Sequence, residues 1–180
     1  ILEIGVFKGG SLQMWKHYFK GKNNKIKVYG IDIDENCKAL EEEDIEILIG
    51  SQADRDFLQD VKKRVGKADI VIDDGGHYMD QQIITFEELF DLVNENGIYL
   101  CEDLHTSYMK EYGGAYKGNT FIEYSKNLVD DIHAQYLETE ELSRNKYSAS
   151  IKSITYYDSM VFIEKKKAAD KSISIQIENQ

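Results

Sequence analysis

The sequence predicts an α/β protein built on a doubly wound sheet, five parallel strands closed by a C-terminal antiparallel hairpin. Three observations carry this reading. Short runs of β-branched and apolar residues alternate with stretches whose apolar residues recur at helical spacing. The runs are continuously apolar, as strands covered on both faces of a sheet must be. The last two runs are separated by only two residues, which forces them to lie antiparallel.

The elements follow in order. Ile1–Ile4 is the first strand; Ser11, suited to cap a helix, precedes Leu12, Trp15, Tyr18 and Phe19 at helical spacing. Lys27–Asp32 and Glu46–Ile49 are the second and third strands. Phe57, Leu58, Val61 and Val65 mark a helix behind Asp54, and Asp69–Asp73 is the fourth strand. Ile83, Ile84, Phe86, Leu89, Phe90 and Val93 form a broad apolar helical face that stops at Asn96-Gly97, where the fifth strand, Gly97–Glu102, begins. A long helix from about Asn119 to Leu137 leads to the strands Ile151–Tyr157 and Met160–Lys165, turning at Asp158-Ser159. Beyond Lys167 only an alternation of Ile173, Ile175 and Ile177 stands out, as in an edge strand or a purification remnant, so residues 1–167 are read as one domain and 168–180 as a tail. The sequence opens directly on a strand with no initiator methionine, and an N-terminal part of the domain is expected upstream.

A chain of 180 residues fits one domain of ordinary size. Its net charge of −11 argues against nucleic acid, which is bound through clustered Lys and Arg, and suits a neutral or cationic small substrate or a bound divalent cation. No apolar run approaches the ~20 residues of a membrane span, and no secretory signal is recognisable. Cys37 and Cys101 stand far apart without a CxxC spacing, which disfavours disulfides and zinc and makes a reducing cytoplasm the expected compartment.

Between the first strand and its helix the string LEIGVFKGGS holds Gly5, Gly9 and Gly10. Glycine there permits positive φ and close approach of backbone to a ligand. The spacing is GxxxGG, and Phe7 stands where a dinucleotide fingerprint needs its second glycine, so a pyrophosphate would be obstructed. S-adenosylmethionine (SAM) carries no phosphate and tolerates the looser loop. The cofactor site therefore opens within Ile1 to Ser11, with Glu3, Gly5, Gly9 and Ser11 as candidate contacts. Asp32 ends the second strand in VYGIDID, where an acidic residue grips ribose hydroxyls, with Asp34 as its competitor. After the third strand, GSQADRDFL offers Gln52, Ala53 and Asp54 beside an adenine, although Asp54 equally suits a helix cap. Asp73 completes the candidate cofactor residues.

The fourth and fifth strands end in IDDGGH and CEDLHTSY. Neighbouring parallel strands bring their carboxyl ends to within ~5 Å, the edge where open α/β sheets bind ligands. Carboxylates gathered there repel one another unless a cation lies among them. Oxygen donors without cysteine favour Mg2+, with Mn2+ or Ca2+ as weaker fits. Lone acidic pairs are ordinarily solvated caps; two at adjacent strand ends, each followed by a histidine, point to a site. Consecutive strand residues face opposite ways, so Glu102 and Asp103 can share an ion only where the strand has left its pleat.

Over nearly the whole chain these motifs resemble the metal-dependent sugar O-methyltransferases that act on macrolide and related natural products, of the mycinamicin and demethylmacrocin O-methyltransferase type. The resemblance rests on LEIGVFKGGSLQMW, GIDID, GSQADRDFL, VIDDGGH and, most specifically, EDLHTSYMKEYGGAYKGNTFIEYSKNLVDDIHA. It implies a Rossmann-like, seven-stranded class I methyltransferase fold, SAM and Mg2+ (or Mn2+) as cofactors, and a small-molecule hydroxyl acceptor, in first place a sugar. It implies Asp74, Glu102 and Asp103 as metal ligands and His77 as general base, with His105 as second candidate base. The Tyr108, Tyr112 and Tyr116 cluster with Gly113-Gly114 reads as a mobile substrate loop or a packed surface loop. Methyl transfer to an aromatic diol, a cephalosporin-hydroxylase-like chemistry, an NAD-dependent oxidoreductase and a non-catalytic binding module are the competing readings; homo-oligomerisation is left open.

Overall fold

In the computed structural model, which describes residues 1–21, 25–136 and 145–167, the chain folds into one seven-stranded sheet covered by helices. The strands are β1 (Leu2–Ile4), β2 (Val28–Asp32), β3 (Ile45–Ile49), β4 (Ala68–Asp73), β5 (Val93–Cys101), β6 (Ile151–Tyr157) and β7 (Met160–Lys165). The helices are α1 (Gly10–Lys20), α2 (Arg55–Val65), α3 (Met79–Leu89), α4 (Phe121–His133) and α5 (Lys146–Ser150). The end of the predicted long helix at Leu137 and the tail after Lys167 lie outside the described residues.

The sheet order is β3-β2-β1-β4-β5-β7-β6. The first five strands run parallel, and β7 pairs antiparallel with both β5 and β6. This is the predicted doubly wound sheet with its closing hairpin. The hairpin turns at Asp158 and Ser159, Ser159 at a φ of 61°, and β7 inserts next to β5 so that β6 becomes the more exposed edge.

Chain direction across the sheet reverses between β1 and β4, the switch point at which such sheets bind ligands. Register sharpens the placement. Ile4 pairs with Ile31 and Asp73, Asp73 with Cys101, and Asp32 with Ile49, so the five parallel strands finish nearly level. The residues one step beyond stay attached: Gly5 N–H donates to Ile31 O (2.9 Å), Asp74 N–H to Ile4 O (3.0 Å) and Glu102 N–H to Asp73 O (2.9 Å).

Two apolar cores lie against the sheet. One gathers Val6, Leu12, Val28, Cys37, Ile45 and Ile47, packing α1 and the 3-10 turn Glu35–Leu40 onto β2 and β3. The larger one carries Phe86, Phe90, Tyr99 and Phe121, joining α2, α3 and α4 to the strands; Phe86 makes edge-on contacts with Tyr99 (5.1 Å between ring centres) and Phe121 (6.0 Å). Such rings contribute their geometry as well as their buried area. Among the described residues no helix is long and apolar enough to cross a membrane.

Three local expectations are corrected. Asn96-Gly97 does not stop a helix: α3 ends at Leu89, a 3-10 turn spans Phe90–Leu92, and β5 already begins at Val93. Asn96, at a φ of 61°, sits instead in a bulge between the Ala68–Val93 and Ile70–Ile98 pairs, closed by Asn94 Nδ2 donating to Asp69 Oδ1 (2.8 Å). Ser11 does not cap α1. Gly9 holds the N-cap in left-handed geometry (φ 73°), because consecutive glycines let the chain enter the helix earlier. The helix after β5 starts at Phe121, where the Thr120 hydroxyl caps it, and gives way to a 3-10 turn at Ala134.

Gly5 is the position this architecture tolerates least. Its φ is +93°, and a Cβ there would overlap the Asp74 carbonyl on the neighbouring strand end. The substitution Gly5→Ala is therefore expected to lower stability by more than about 2 kcal/mol. Urea unfolding of wild type and variant measures it, and equal midpoints would refute the close approach.

Candidate active site

The turn from Gly5 to Gly9 is held by the next strand. Asp32, the last residue of β2, accepts hydrogen bonds at Oδ2 from the N–H groups of Val6 (2.8 Å) and Phe7 (3.0 Å), and at Oδ1 from Asp34 N–H (2.9 Å). Burial acts to raise its pKa, but these N–H donors outweigh burial and hold the carboxyl below its ordinary value. Asp34 caps the 3-10 segment that follows β2 and also lines the cleft beside Asp32. Phe7, at a φ of 49°, projects outward with 79% of its surface exposed.

Behind the turn, buried Glu3 accepts a hydrogen bond from the Ser11 hydroxyl and another from Trp15 Nε1 (2.7 Å). Burial raises its pKa against the pull of those two donors. Glu3 thus ties β1 to α1 from within and faces no open space.

Beneath the opposite wall lies a second buried carboxyl. Asp73 accepts from Gln52 Nε2 (3.0 Å) and from the Tyr99 hydroxyl (3.3 Å). Full burial pushes it up to about 7, against the hydrogen bonds from Gln52, the Gly75 N–H and Tyr99. Gln52 Nε2 also donates to Thr85 Oγ1 (3.1 Å), and Gln52 Oε1 accepts from Gly76 N–H (2.8 Å).

From this floor the chain turns outward. Asp74, His77 and Asp103 each offer a ligand atom, all within 4.8 Å of one another. His77 Nε2 stands 3.5 Å from Asp103 Oδ2. Burial raises the Asp74 pKa; nearby His77 lowers it and Asp103 raises it. Glu102 is raised first by burial, then by the charges of Asp74, Asp103 and Glu3. Asp103 has left the pleat: β5 ends at Cys101, and Asp103 adopts left-handed geometry (φ 54°) at the head of the 3-10 turn Leu104–Tyr108. That kink meets the geometric condition on sharing an ion. Two carboxylates and an imidazole in one group form a donor set that fits a hard divalent cation; of the three expected ligands, Asp74 and Asp103 belong to this group and Glu102 does not.

His105 points elsewhere. Its Nδ1 lies 2.7 Å from Ser159 Oγ in the hairpin turn and 3.9 Å from Asp103 Oδ1, and its side chain is half exposed. Together with Leu104 N–H donating to Ser159 O (2.9 Å), it pins the β6–β7 turn onto the segment after β5.

One cleft of about 760 Å³ runs across the switch point. Gly5, Ser11, Asp32 and Gln52 line it, as do Asp74, His77 and Asp103 at its far end. Buried Glu3 and Asp73 sit behind its walls; Gly9, Ala53, half-buried Glu102 and His105 are also outside the lining, and Asp54 is spent as the cap of α2, accepting from the N–H groups of Asp56 and Phe57. Lys8, Cys37, Gly50, Ser51 and Gln81 line the cleft without having been singled out. Gly50-Ser51 directly follows a strand end and was within reach of the same argument as Gln52. Lys8 and Cys37 carry no such signal. The tyrosine segment is two short 3-10 turns, Leu104–Tyr108 and Lys110–Tyr112, with Tyr112 against Tyr78 (5.4 Å between ring centres).

The seven-stranded sheet with its closing hairpin and the cleft at its switch point have the architecture of the class I methyltransferase fold. Over that fold the chain is homologous to the sugar O-methyltransferases of glycosylated natural products. It is 36% identical over 185 residues to the 8-demethyl-8-(2-methoxy-alpha-L-rhamnosyl)-tetracenomycin-C 3'-O-methyltransferase of Streptomyces olivaceus, a match of 96% of this chain and 46% of that protein. It is 34% identical over 177 residues to demethylmacrocin O-methyltransferase of Streptomyces fradiae, covering 92% and 44%. The solved MycE methyltransferase of the mycinamycin biosynthetic pathway, in complex with Mg and SAH, superposes with a TM-score of 0.87 at 32% identity, over 99% of this chain and 48% of that one; a further complex holds mycinamycin VI as well. No family model matches the chain. The chain spans about half the length of the curated relatives it matches.

The Asp73 carboxyl sets a pH signature. Its pKa in the folded chain, about 7, lies above the ordinary 3.8, so its proton is held more tightly folded than unfolded. The resulting stability is complete below pH ~4 and is lost as pH rises toward 7. Asp73→Asn removes this term. Urea midpoints measured from pH 4 to 7 are expected to shift in the variant's favour as pH rises; a wild-type to variant gap independent of pH would refute it.

Proposed function

We propose that this chain is the catalytic domain of a SAM-dependent, Mg2+-assisted O-methyltransferase that methylates a hydroxyl of a sugar or glycosylated natural product. The observation that carries the reading is the grouping of Asp74, His77 and Asp103 at one end of a cleft whose other end is a glycine turn clamped by Asp32. The relatives support the acceptor class: one is named for a rhamnosyl substrate, and MycE has been solved with mycinamycin VI. The same likeness favours methyl transfer over the oxidoreductase and binding-module readings, and no feature of the cleft favours an aromatic diol over a sugar.

In this reading Gly5, Ser11 and the rest of the glycine turn hold the methionine part of the cofactor, Asp32 meets the ribose, and the wall from Gly50 to Gln52 bounds the adenine. Asp74, Glu102 and Asp103 hold the cation. SAM supplies the electrophilic methyl group, and a bound divalent cation supplies Lewis-acid polarisation of the acceptor hydroxyl. His77 presents Nε2 to the group and accepts the hydroxyl proton at that atom, while Asp103 opposite stabilises the charge the ring acquires. The fixed grouping places base and acceptor together, which removes entropy from the barrier. His105, turned to Ser159, serves the architecture of the rim. The buried, free thiols of Cys37 and Cys101 agree with a reducing cytoplasm as the working compartment.

Two measurements test this. With a rhamnosyl-bearing acceptor and labelled SAM, a chelator is expected to abolish methyl transfer while SAM affinity stays within about threefold; transfer that persists without divalent ions refutes the metal role. His77→Ala is expected to lower kcat by about 10²- to 10⁴-fold with unchanged SAM affinity, and normal turnover in that variant excludes His77 as the base.

A further inference from the structure

The His77 ring is poorly anchored by its own contacts. Nδ1 is buried without a hydrogen-bond partner among the described residues, and Nε2 stands 3.5 Å from Asp103 Oδ2, beyond hydrogen-bond length, with Asp74 in the same group. Its direction is therefore set by the backbone that carries it. That backbone adopts a φ of 60°, a conformation that costs a non-glycine residue ~1–3 kcal/mol and persists only when surroundings impose it.

The imposing group is Gln52. Its side chain is buried (7% exposed) and uses its donor and its acceptor together: Nε2 donates downward to Asp73 Oδ1 and Thr85 Oγ1, and Oε1 accepts from Gly76 N–H. The Gly75 backbone presses so closely on that carboxamide that a Cβ at Gly75 would overlap Oε1; a Cβ at Gly76 would overlap Gln81 Oε1 on the other side. The Gly75-Gly76 turn is thus clamped between two glutamine side chains, one anchored in the core and one on the first turn of α3. Bidentate use of the Gln52 amide fixes its orientation as well as its place, because flipping it would set an NH2 against Gly76 N–H and an oxygen against the Asp73 carboxyl.

We propose that Gln52 is a positioning residue for His77: it clamps the Gly75-Gly76 turn to the Asp73–Thr85 floor and so aims the imidazole at Asp103. The role rests on the reading of His77 as general base and gives the β3–α2 segment a part in the chemistry beyond bounding the cofactor. Catalytic groups displaced by even 1 Å lose about 10²-fold in rate, so a remote clamp of this kind is felt in kcat.

Gln52→Met keeps the length of the side chain and removes its hydrogen bonds. The expected result is a fall in kcat of about 10- to 100-fold with the Kd for SAM within about twofold, together with a displacement of the His77 imidazole resonances at fixed pH while those of His105 stay in place. Unchanged kcat with unchanged His77 resonances overturns the proposal. Weaker SAM binding at unchanged kcat also overturns it, making Gln52 an adenine contact instead. Should the variant unfold at the assay temperature, Gln52→Asn is read in the same way, since its amide is one methylene too short to reach from Asp73 to Gly76. If the wild-type protein transfers no methyl group, the catalytic reading fails on its own, and the resonances still decide whether Gln52 sets the His77 ring.

Discussion

The contact on which the site depends is the meeting of β1 and β4 one residue past the sheet, where Gly5 lies against the Asp74 carbonyl. Parallel strands of a twisted sheet diverge as they leave it, and an ordinary side chain at position 5 would force them apart. Glycine lets the backbones stay together, with Asp74 N–H still donating to Ile4 O (3.0 Å). Both halves of the cleft inherit their position from that contact. The glycine turn proceeds from Gly5 toward Asp32, and the acidic group proceeds from Asp74 toward His77.

From the same place the pleat sorts carboxylates into different tasks. Asp73, still in β4, points into the core, where it is enclosed by Gln52 and Tyr99 and held near neutral pKa. Asp74, the next residue, opens to the cleft. Glu102 and Asp103 would have parted in the same fashion, but the left-handed turn at Asp103 rotates its carboxylate back toward Asp74. A strained backbone here serves the site: His77 and Asp103, the two residues facing each other at 3.5 Å, both have positive φ. The molecule concentrates like charge at a point where two non-glycine residues also hold positive φ, and the buried hydrogen bonds below supply the rigidity to keep it there.

Much of this was legible in the sequence because it follows from period and spacing. Short runs such as VYGID and DIVID, rich in β-branched and apolar residues and set between helical patterns, read as strands, and a two-residue connection admits only a hairpin. Acidic residues at strand ends could be assigned to one edge once the strands were known to be parallel. What could not be read were features decided by tertiary contact. Nothing local distinguishes Glu3, whose oxygens are consumed by Ser11 and Trp15, from a carboxylate open to ligand. Asn96-Gly97 has the composition of a helix stop and a bulge alike, and pairing with β4 chose the bulge. Ser11 was a sound cap by propensity, displaced because the glycine before it could begin the helix first. Gln52 was singled out as a candidate beside an adenine and does line the cleft, yet its three hydrogen bonds reach residues 21 to 33 positions away and leave no trace in spacing.

The distribution of these residues bears on how the chemistry is divided. Every group assigned to cofactor, cation or proton lies between Gly5 and Asp103, within the stretch shared with relatives about twice as long. The cofactor half is built from β1, β2 and β3, the acidic half from β4 and β5, and one apolar core packs strands of both. Gln52 adds directed hydrogen bonds across them, leaving the end of β3 to hold a turn beyond β4. A binding cleft and a reacting group carried on separate strands need such a bridge if filling the first is to find the second already in place. The sheet brings the two halves near each other, and a buried amide with all its hydrogen bonds directed fixes the angle between them.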